Sequence, residues 1–206
     1  MPDHKSIKPE MKGTTVLSKS PLVERITRTH ISIPLVVFSL FSVGLIYYGS
    51  TKIGLTTPLL ITLFITGFLL FTLAEYIMHR FLFHMSEDTE AKKKFVYTVH
   101  GVHHHYPKDK DRLAMPIPAS VTLAFLFYLF FEVIMGDQVY GFLPGFYMGY
   151  ASYLWVHYMV HAFQPPKNFF KILWVHHGIH HYKQPERAFG VSSPLWDIVF
   201  RTMPTK

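Results

Sequence analysis

Long uncharged runs separated by short polar breaks dominate this chain, a pattern that predicts membrane-crossing helices rather than strands. Ile31 to Gly49 carries no charge, and Ile53 to Ala74 is a second such run, interrupted only by Pro58 and small residues. Ile117 to Gly136 is a third, with Glu132 its only charge, and Val139 to Val156 is a fourth, dense in Tyr, Phe and Trp. A helix needs about 20 residues to cross a hydrocarbon core about 30 Å thick, so each run suits one crossing. The links Ser50 to Lys52 and Asp137 to Gln138 leave room only for tight turns. The expectation is an all-α integral membrane protein with spans at about 31–49, 53–74, 117–136 and 139–156, arranged as two hairpins.

Two hairpins put every long segment on one side: the tail of residues 1–30, the loop from His79 to Pro116, and the stretch from Ala162 to Lys206. Those segments hold nearly all the cations, including Lys92, Lys93, Lys94, Lys108, Lys110, Lys167, Lys171 and Lys183. The positive-inside rule makes that side the cytoplasm, so the chain is expected in a bacterial inner membrane or the endoplasmic reticulum. The first 30 residues are too polar for a cleaved signal peptide and form an N-terminal tail ahead of a membrane domain at 31–206. Within the tail, Thr14 to Thr29 is expected either along the lipid surface or as a solvated arm.

Composition agrees with a membrane location. Hydrophobic residues make up 50% of the chain and charged ones 16%, against roughly 25% charged in soluble domains. The net charge of +7 therefore reads as attraction to anionic lipid, and no motif points to nucleic acid. With no cysteine, disulfides, thiolate zinc sites, iron–sulfur clusters and thiol nucleophiles are excluded.

Fourteen histidines then stand out, and twelve fall in four clusters: His79-x4-His84, His100-x2-His103-His104-His105, His157-x3-His161, and His176-His177-x2-His180-His181. If the second helix runs unbroken from Ile53 through His84, it reaches about 48 Å, well past the bilayer core. A helix from Val139 to His161 spans roughly 35 Å and raises His157 and His161 to a similar height. In each H-x-x-H-H run the i, i+3 and i+4 positions share a helix face, so the three imidazoles are expected to converge, as metal ligands do. His105 and His176 do not fit that spacing. Leaving them out gives ten, too many for one ion and suited to two ions with about five ligands each, a histidine-rich helical cap over the cytoplasmic ends. His4 and His30, isolated near the start, read as packing or hydrogen-bonding residues.

The ordered clusters, with Glu75-Tyr76 ahead of the first, Pro107-x-Asp109-x-x-Arg112-Leu113 and Pro116 after the second, and Phe189-Gly190-Val191 with Trp196-Asp197 near the end, resemble the fatty acid hydroxylase superfamily, nearest its fatty acid 2-hydroxylase branch. The resemblance covers about Phe71 to Thr202. It implies a two-metal centre, iron when active, with zinc a possible occupant in purified material, held by His79, His84, His100, His103, His104, His157, His161, His177, His180 and His181. It further implies insertion of one atom of O2 into a C–H bond of a long acyl chain, at the carbon beside the carboxyl carbon. Relatives often carry a haem-binding electron-transfer domain on the same chain. This sequence is read as having no room for one, which implies a separate donor protein on the basic face. Ala162 departs from relatives that carry a further histidine there, and the extra His105 and His176 leave open a substitution for His104 or His177.

Around the ligands, Glu75 is one turn before His79 and is expected to accept its second ring N–H, with Asp197 in a similar role. Arg112 is expected either to pair with Asp109 and lock the loop or to meet the substrate head group. Glu132 reads as snorkelling to water, and the aromatic residues from Tyr140 to Trp155 as packing or as the wall of an acyl channel. Sterol or carotenoid oxidases and desaturases of the same superfamily are the rival enzymatic readings. A metal transporter or storage protein is the rival of another class, though transporters place ligands near the bilayer midplane. A zinc hydrolase would need only about three protein ligands.

Overall fold

The computed structural model describes residues 8–205, and among them every regular element is helical. Four long helices form its frame: α2 (Ser32–Tyr48), α3 (Thr57–Ile77), α6 (Ile117–Met135) and α7 (Val139–Ala162). Three largely helical stretches are long and apolar enough to cross a membrane: Ser32–Ile53, Thr57–Phe83 and Lys110–Ala162. The last of these contains both α6 and α7, because the short turn Gly136–Gln138 between them is itself helical.

The second helix begins at Thr57, not at Ile53. Gly54 sits at φ +80°, a left-handed conformation that ends the π-helical turn Gly49–Ile53, and Pro58 then fits the first turn of α3. The first hairpin link therefore falls at residues 54–56, displaced toward α3 from the expected Ser50 to Lys52.

Helix α7 is the axis of the bundle and is buried along most of its length. It meets α3 almost backbone to backbone. A Cβ on Gly145 would lie 1.8 Å from the Phe64 carbonyl oxygen, and one on Gly67 would lie 2.0 Å from that of Phe142. Small residues at such crossings let helices approach closely and replace a hydrophobic drive that lipid cannot supply. On another side α2 packs through Phe38, whose ring stands edge-on to Tyr147 at 5.6 Å and to Tyr150 at 4.8 Å. Helix α6 is tied on by the Tyr147 hydroxyl, which donates to the Ala124 carbonyl at 2.8 Å, and by Phe131 against Phe142.

Five short helices lie near the ends of α3 and α7 that carry histidines: α1 (Pro21–Ile26), α4 (Glu90–Val96), α5 (Val102–His105), α8 (Lys171–Tyr182) and α9 (Leu195–Val199). The N-terminal arm is neither a free solvated tail nor merely laid on a surface. Buried Arg112 donates to the Thr15 carbonyl at 2.8 Å and the Thr27 hydroxyl at 3.1 Å, and pairs with Glu24 and, at 3.6 Å, Asp109. Glu24 also accepts the N–H groups of Leu17 and Ser18. Burial raises the Glu24 carboxyl, but these donors and the guanidinium hold it below the usual range. Arg112 thus locks the arm to the central loop, with its donors engaged inside the protein rather than offered to a head group.

Replacing Gly145 by Leu should force α3 and α7 apart and cost about 3 kcal/mol or more by overpacking. Gly178→Ala is the control, since a Cβ there meets nothing within 4 Å. Thermal unfolding of the detergent-solubilised protein should show a large drop for the first and none for the second; equal midpoints would refute the close crossing.

Candidate metal centre

The H-x4-H spacing of the first cluster is served by an unusual turn. Beyond α3 the backbone continues as π-helix over Met78–Phe83, and i→i+5 bonding stacks residues five apart, which brings His79 and His84 onto one side. In α7 the ordinary α-turn does the same for His157 and His161. A second π-turn, Tyr97–Gly101, leads into α5 and carries His100, while α8 carries His176 to His181.

These elements bring ten histidines into two groups, each with its candidate ligand atoms within 4.8 Å of one another. One consists of His79, His84, His100, His104 and His180; the other of His103, His157, His161, His177 and His181. All ten side chains are between 0% and 7% exposed, so water is excluded from both. The groups are adjacent, with the rings of His104 and His181 stacked at 4.1 Å.

The two H-x-x-H-H runs do not converge as expected. In each, the i and i+4 rings stay together and the i+3 ring turns into the neighbouring group. His100 and His104 serve one group while His103 serves the other, and His177 and His181 serve one while His180 serves the other. The i+3 position lies about 60° round the helix on the far side of i from i+4, and that offset separates two adjacent centres.

Inside the groups the ring nitrogens face one another. Nε2 of His100 is 3.1 Å from that of His79 and 2.9 Å from that of His104; His103 and His157 meet at 2.9 Å, and His161 and His177 at 2.8 Å. Two ligands at right angles on an ion with bonds of about 2.1 Å lie about 3.0 Å apart, so these separations match edges of a coordination polyhedron. Two rings have their tautomer fixed from outside. His180 Nδ1 donates to the Arg187 carbonyl at 2.7 Å and His79 Nδ1 to the Phe189 carbonyl, because a carbonyl can only accept. Their Nε2 lone pairs are left pointing inward. Nε2 of His180 and both ring nitrogens of His181 are buried without a hydrogen-bond partner, which a metal ion would supply. The donor set is all imidazole nitrogen, which suits iron, zinc, copper or nickel.

Burial, and then the neighbouring imidazoles, hold His100, His103, His177, His180 and His181 well below the usual histidine pKa, so they stay neutral and able to ligate.

The two buried carboxylates act on the backbone beside the centre. Glu75 does not accept from His79. Its Oε1 takes the N–H groups of Val191 at 2.7 Å and Ser192 at 2.9 Å, and its other oxygen takes the Ser192 hydroxyl. Asp197 takes the N–H groups of Phe189 at 2.9 Å and Gly190 at 2.8 Å, the Thr202 hydroxyl at 2.7 Å, and His176 Nε2 at 2.9 Å. Residues 189–192 are thus clamped from two sides, and the clamp presents the Phe189 carbonyl to His79. Gly190 is required there, since a Cβ would lie 2.2 Å from the Ser193 carbonyl oxygen. Because Asp197 only accepts, Thr202 donates to it, Tyr76 donates to Thr202 at 2.9 Å, and Arg80 donates to Tyr76 at 2.8 Å. Burial raises the Asp197 carboxyl, yet the His176 and Thr202 donors and the two N–H groups leave it below its ordinary value.

His176 is therefore occupied by Asp197, and His105 by the Tyr97 hydroxyl at 3.1 Å and Glu10 at 3.2 Å; neither joins a group. His30 bonds Ser32, and His4 lies outside the described residues. Sequence reasoning missed Lys108, which donates to the His161 carbonyl at 2.6 Å and caps the end of α7. It also missed the Phe189 and Arg187 carbonyls, which belong to no side-chain motif.

Asp197→Asn keeps the shape but sets an amide N–H₂ against a ring of donors. It should weaken binding in the His79 group by 10- to 100-fold and in the His103 group by less, so metal analysis should fall below two ions per chain with the His79 group emptied first. Loss of neither ion, or emptying of the His103 group first, contradicts the clamp.

The pH response of the metal-free protein follows from the depressed histidines. Their folded-state pKa lies below the unfolded value of about 6.5, so their contribution to stability is present above that pH and declines below it, by about 1.4 kcal/mol per pH unit for each histidine that stays neutral. Unfolding midpoints should be lower at pH 5.5 than at pH 7.5; a flat profile would show that the rings are not buried neutral.

The family model described as fatty acid hydroxylase matches residues 64–202. Fatty acid 2-hydroxylase of Rattus norvegicus is 37% identical over 148 residues, covering 69% of this chain. The chain spans only 40% of that relative's length. A dihydroceramide fatty acyl 2-hydroxylase of Arabidopsis thaliana is 34% identical over 157 residues, covering 76% of this chain and 66% of its own. Ceramide very long chain fatty acid hydroxylase of Schizosaccharomyces pombe is 36% identical over 175 residues, covering 82% and 49%. Among solved structures, full-length scs7p, in which only the hydroxylase domain is visible, superposes with a TM-score of 0.86 at 31% identity, covering 94% of this chain and 74% of that one.

Proposed function

Since the chain belongs to the fatty acid hydroxylase family, we propose that it is a membrane di-iron monooxygenase that hydroxylates a long acyl chain at C2, as free acid or acyl lipid. The observation that carries this reading is the pair of adjacent, buried five-histidine groups with inward lone pairs and no carboxylate among them. The relatives' printed names supply the acyl substrate and the 2-position.

Iron bound in the two groups supplies the activation of O2, and the protein supplies the rest. His79 and His180 are held by the Phe189 and Arg187 carbonyls with Nε2 turned inward, so two ligands are oriented before any ion arrives. The buried rings keep water from the reacting carbon. Two electrons come from a separate donor protein docking on the lysine-rich side, with O2 as co-substrate. That side is the cytoplasm by the positive-inside rule, α2, α3, α6 and α7 form four spans in two hairpins, and the short helices form the histidine-rich cap. Residues 31–206 are then the membrane domain. The N-terminal arm rests on the leaflet through Leu22, Val23 and Ile26 of α1, which are exposed while Arg112 holds the arm from inside.

The test is expression in a host without 2-hydroxy lipids, followed by lipid mass analysis under labelled O2. The product should gain one labelled oxygen beside the carboxyl carbon. His180→Ala and His103→Ala, one from each group, should each abolish it while the protein still inserts. Full product from both variants, or oxygen at another carbon, refutes the assignment.

A further inference from the structure

Helices α2 and α6 do not close against each other. Between them lies a cleft of about 380 Å³ lined by Leu40, Phe41, Gly44, Val121, Phe125 and Tyr128. Leu40 is 65% and Phe125 58% exposed, so the cleft faces outward, where the membrane reading puts lipid. Ala124 and Tyr147 also line a smaller inner chamber of about 60 Å³, walled by Phe38, Phe71, Phe146 and Tyr150. The wall continues toward the metal groups. Phe71 contacts Tyr150 at 5.9 Å and Tyr153 at 6.4 Å, and Tyr153 stacks on His157 at 5.5 Å with the rings 15° apart.

Length and polarity select the occupant. From His157 down α7 to Tyr147 is ten residues, and from Ala124 along α6 to Tyr128 is four more, about 21 Å in all by helical rise. That suits an extended long acyl chain whose second carbon lies beside the metals. The hydroxyls of the two tyrosines that line the cleft are already engaged: Tyr147 donates to the Ala124 carbonyl, and Tyr128 bonds Glu132 and Tyr140; that of Tyr150, in the inner chamber, has no partner. The cleft therefore has little with which to hold a polar group and suits hydrocarbon.

Resting on the acyl-hydroxylase reading above, we propose that the α2/α6 cleft is the lateral access and tail site for the substrate's long acyl chain, with Ala124 as the neck. Ala124 is 5% exposed and is the smallest side chain shared by the two cavities, so its bulk sets whether the chain passes from the cleft to the chamber. The head of the lipid stays at the membrane surface while the tail slides in sideways, and the substrate never leaves the bilayer.

The experiment uses the metal-loaded protein in lipid nanodiscs and a long-chain fatty acid carrying a diazirine near its methyl end. Photolabelling should be saturable, competed by unlabelled long-chain acid, and mapped by peptide mass analysis to α2 near Gly44 and α6 near Tyr128. Gly44→Phe fills the cleft without crowding, since a Cβ there meets nothing within 4 Å, and Ala124→Phe closes the neck. Each should cut labelling about tenfold and shift hydroxylated product toward shorter chains, with metal content unchanged. If Ala124→Phe does not fold, Gly44→Phe decides alone. Labelling that never saturates, maps only to other lipid-facing helices, or is the same in the folded variants overturns the proposal. Saturable cleft labelling without any hydroxylated product sinks the hydroxylase reading and leaves the tail site standing; product whose chain-length preference ignores the variants sinks the tail site alone.

Discussion

Ten neutral imidazoles packed with their ring nitrogens turned toward one another are destabilised unless a positive charge lies between them. His79 and His180 have their protons committed outward to carbonyls, so the inner nitrogen of His79 has none to share with His100 at 3.1 Å, and that of His180 is left without a partner. Protonation is no remedy, because burial and the neighbouring rings both disfavour the imidazolium. A divalent ion in each group removes the repulsion and satisfies the orphaned nitrogens together. An ion held in each group would make metal binding part of folding free energy, as in other sites whose ligands come from distant stretches of chain.

That demand explains features that look unrelated. Glycine lets α3 and α7 cross at backbone distance, so the histidines at their ends arrive together. The π-turn at Met78–Phe83 gives up regular geometry to align two histidines five residues apart. Ala188 at φ 58° carries a left-handed conformation that a β-carbon disfavours, and it leads directly into the clamped Phe189–Ser192 segment. Glu75 and Asp197 spend their oxygens on that segment, and Asp197, held below its ordinary pKa, also places negative charge just outside the histidine groups.

Much of this was legible in the residues. The uncharged runs located all four long helices to within a few positions, and histidine counting reached two groups of five because ligand number is a matter of arithmetic and valence. What escaped depended on backbone. The Phe189 and Arg187 carbonyls have no side-chain signature, and Gly54 ended a run whose hydrophobicity carried straight through it. Glu75 was misassigned to His79 because helical spacing placed them one turn apart, while its nearest donors came from residues more than a hundred positions later. Arg112 was drawn inward by an arm whose polar sequence resembled a free tail.

The division of the H-x-x-H-H runs has a consequence for how the two centres work together. Since α5 and α8 each send rings to both groups, neither group can be assembled without ordering a helix that the other also needs. An ion in the His79 group would fix both short helices and thereby present His103, His177 and His181, three of the five ligands of the other group. The conformational cost falls mainly on the first ion, and the second meets a site already arranged. Positive cooperativity in metal loading would then follow from the way a three-residue step in a helix separates one lone pair from its neighbours.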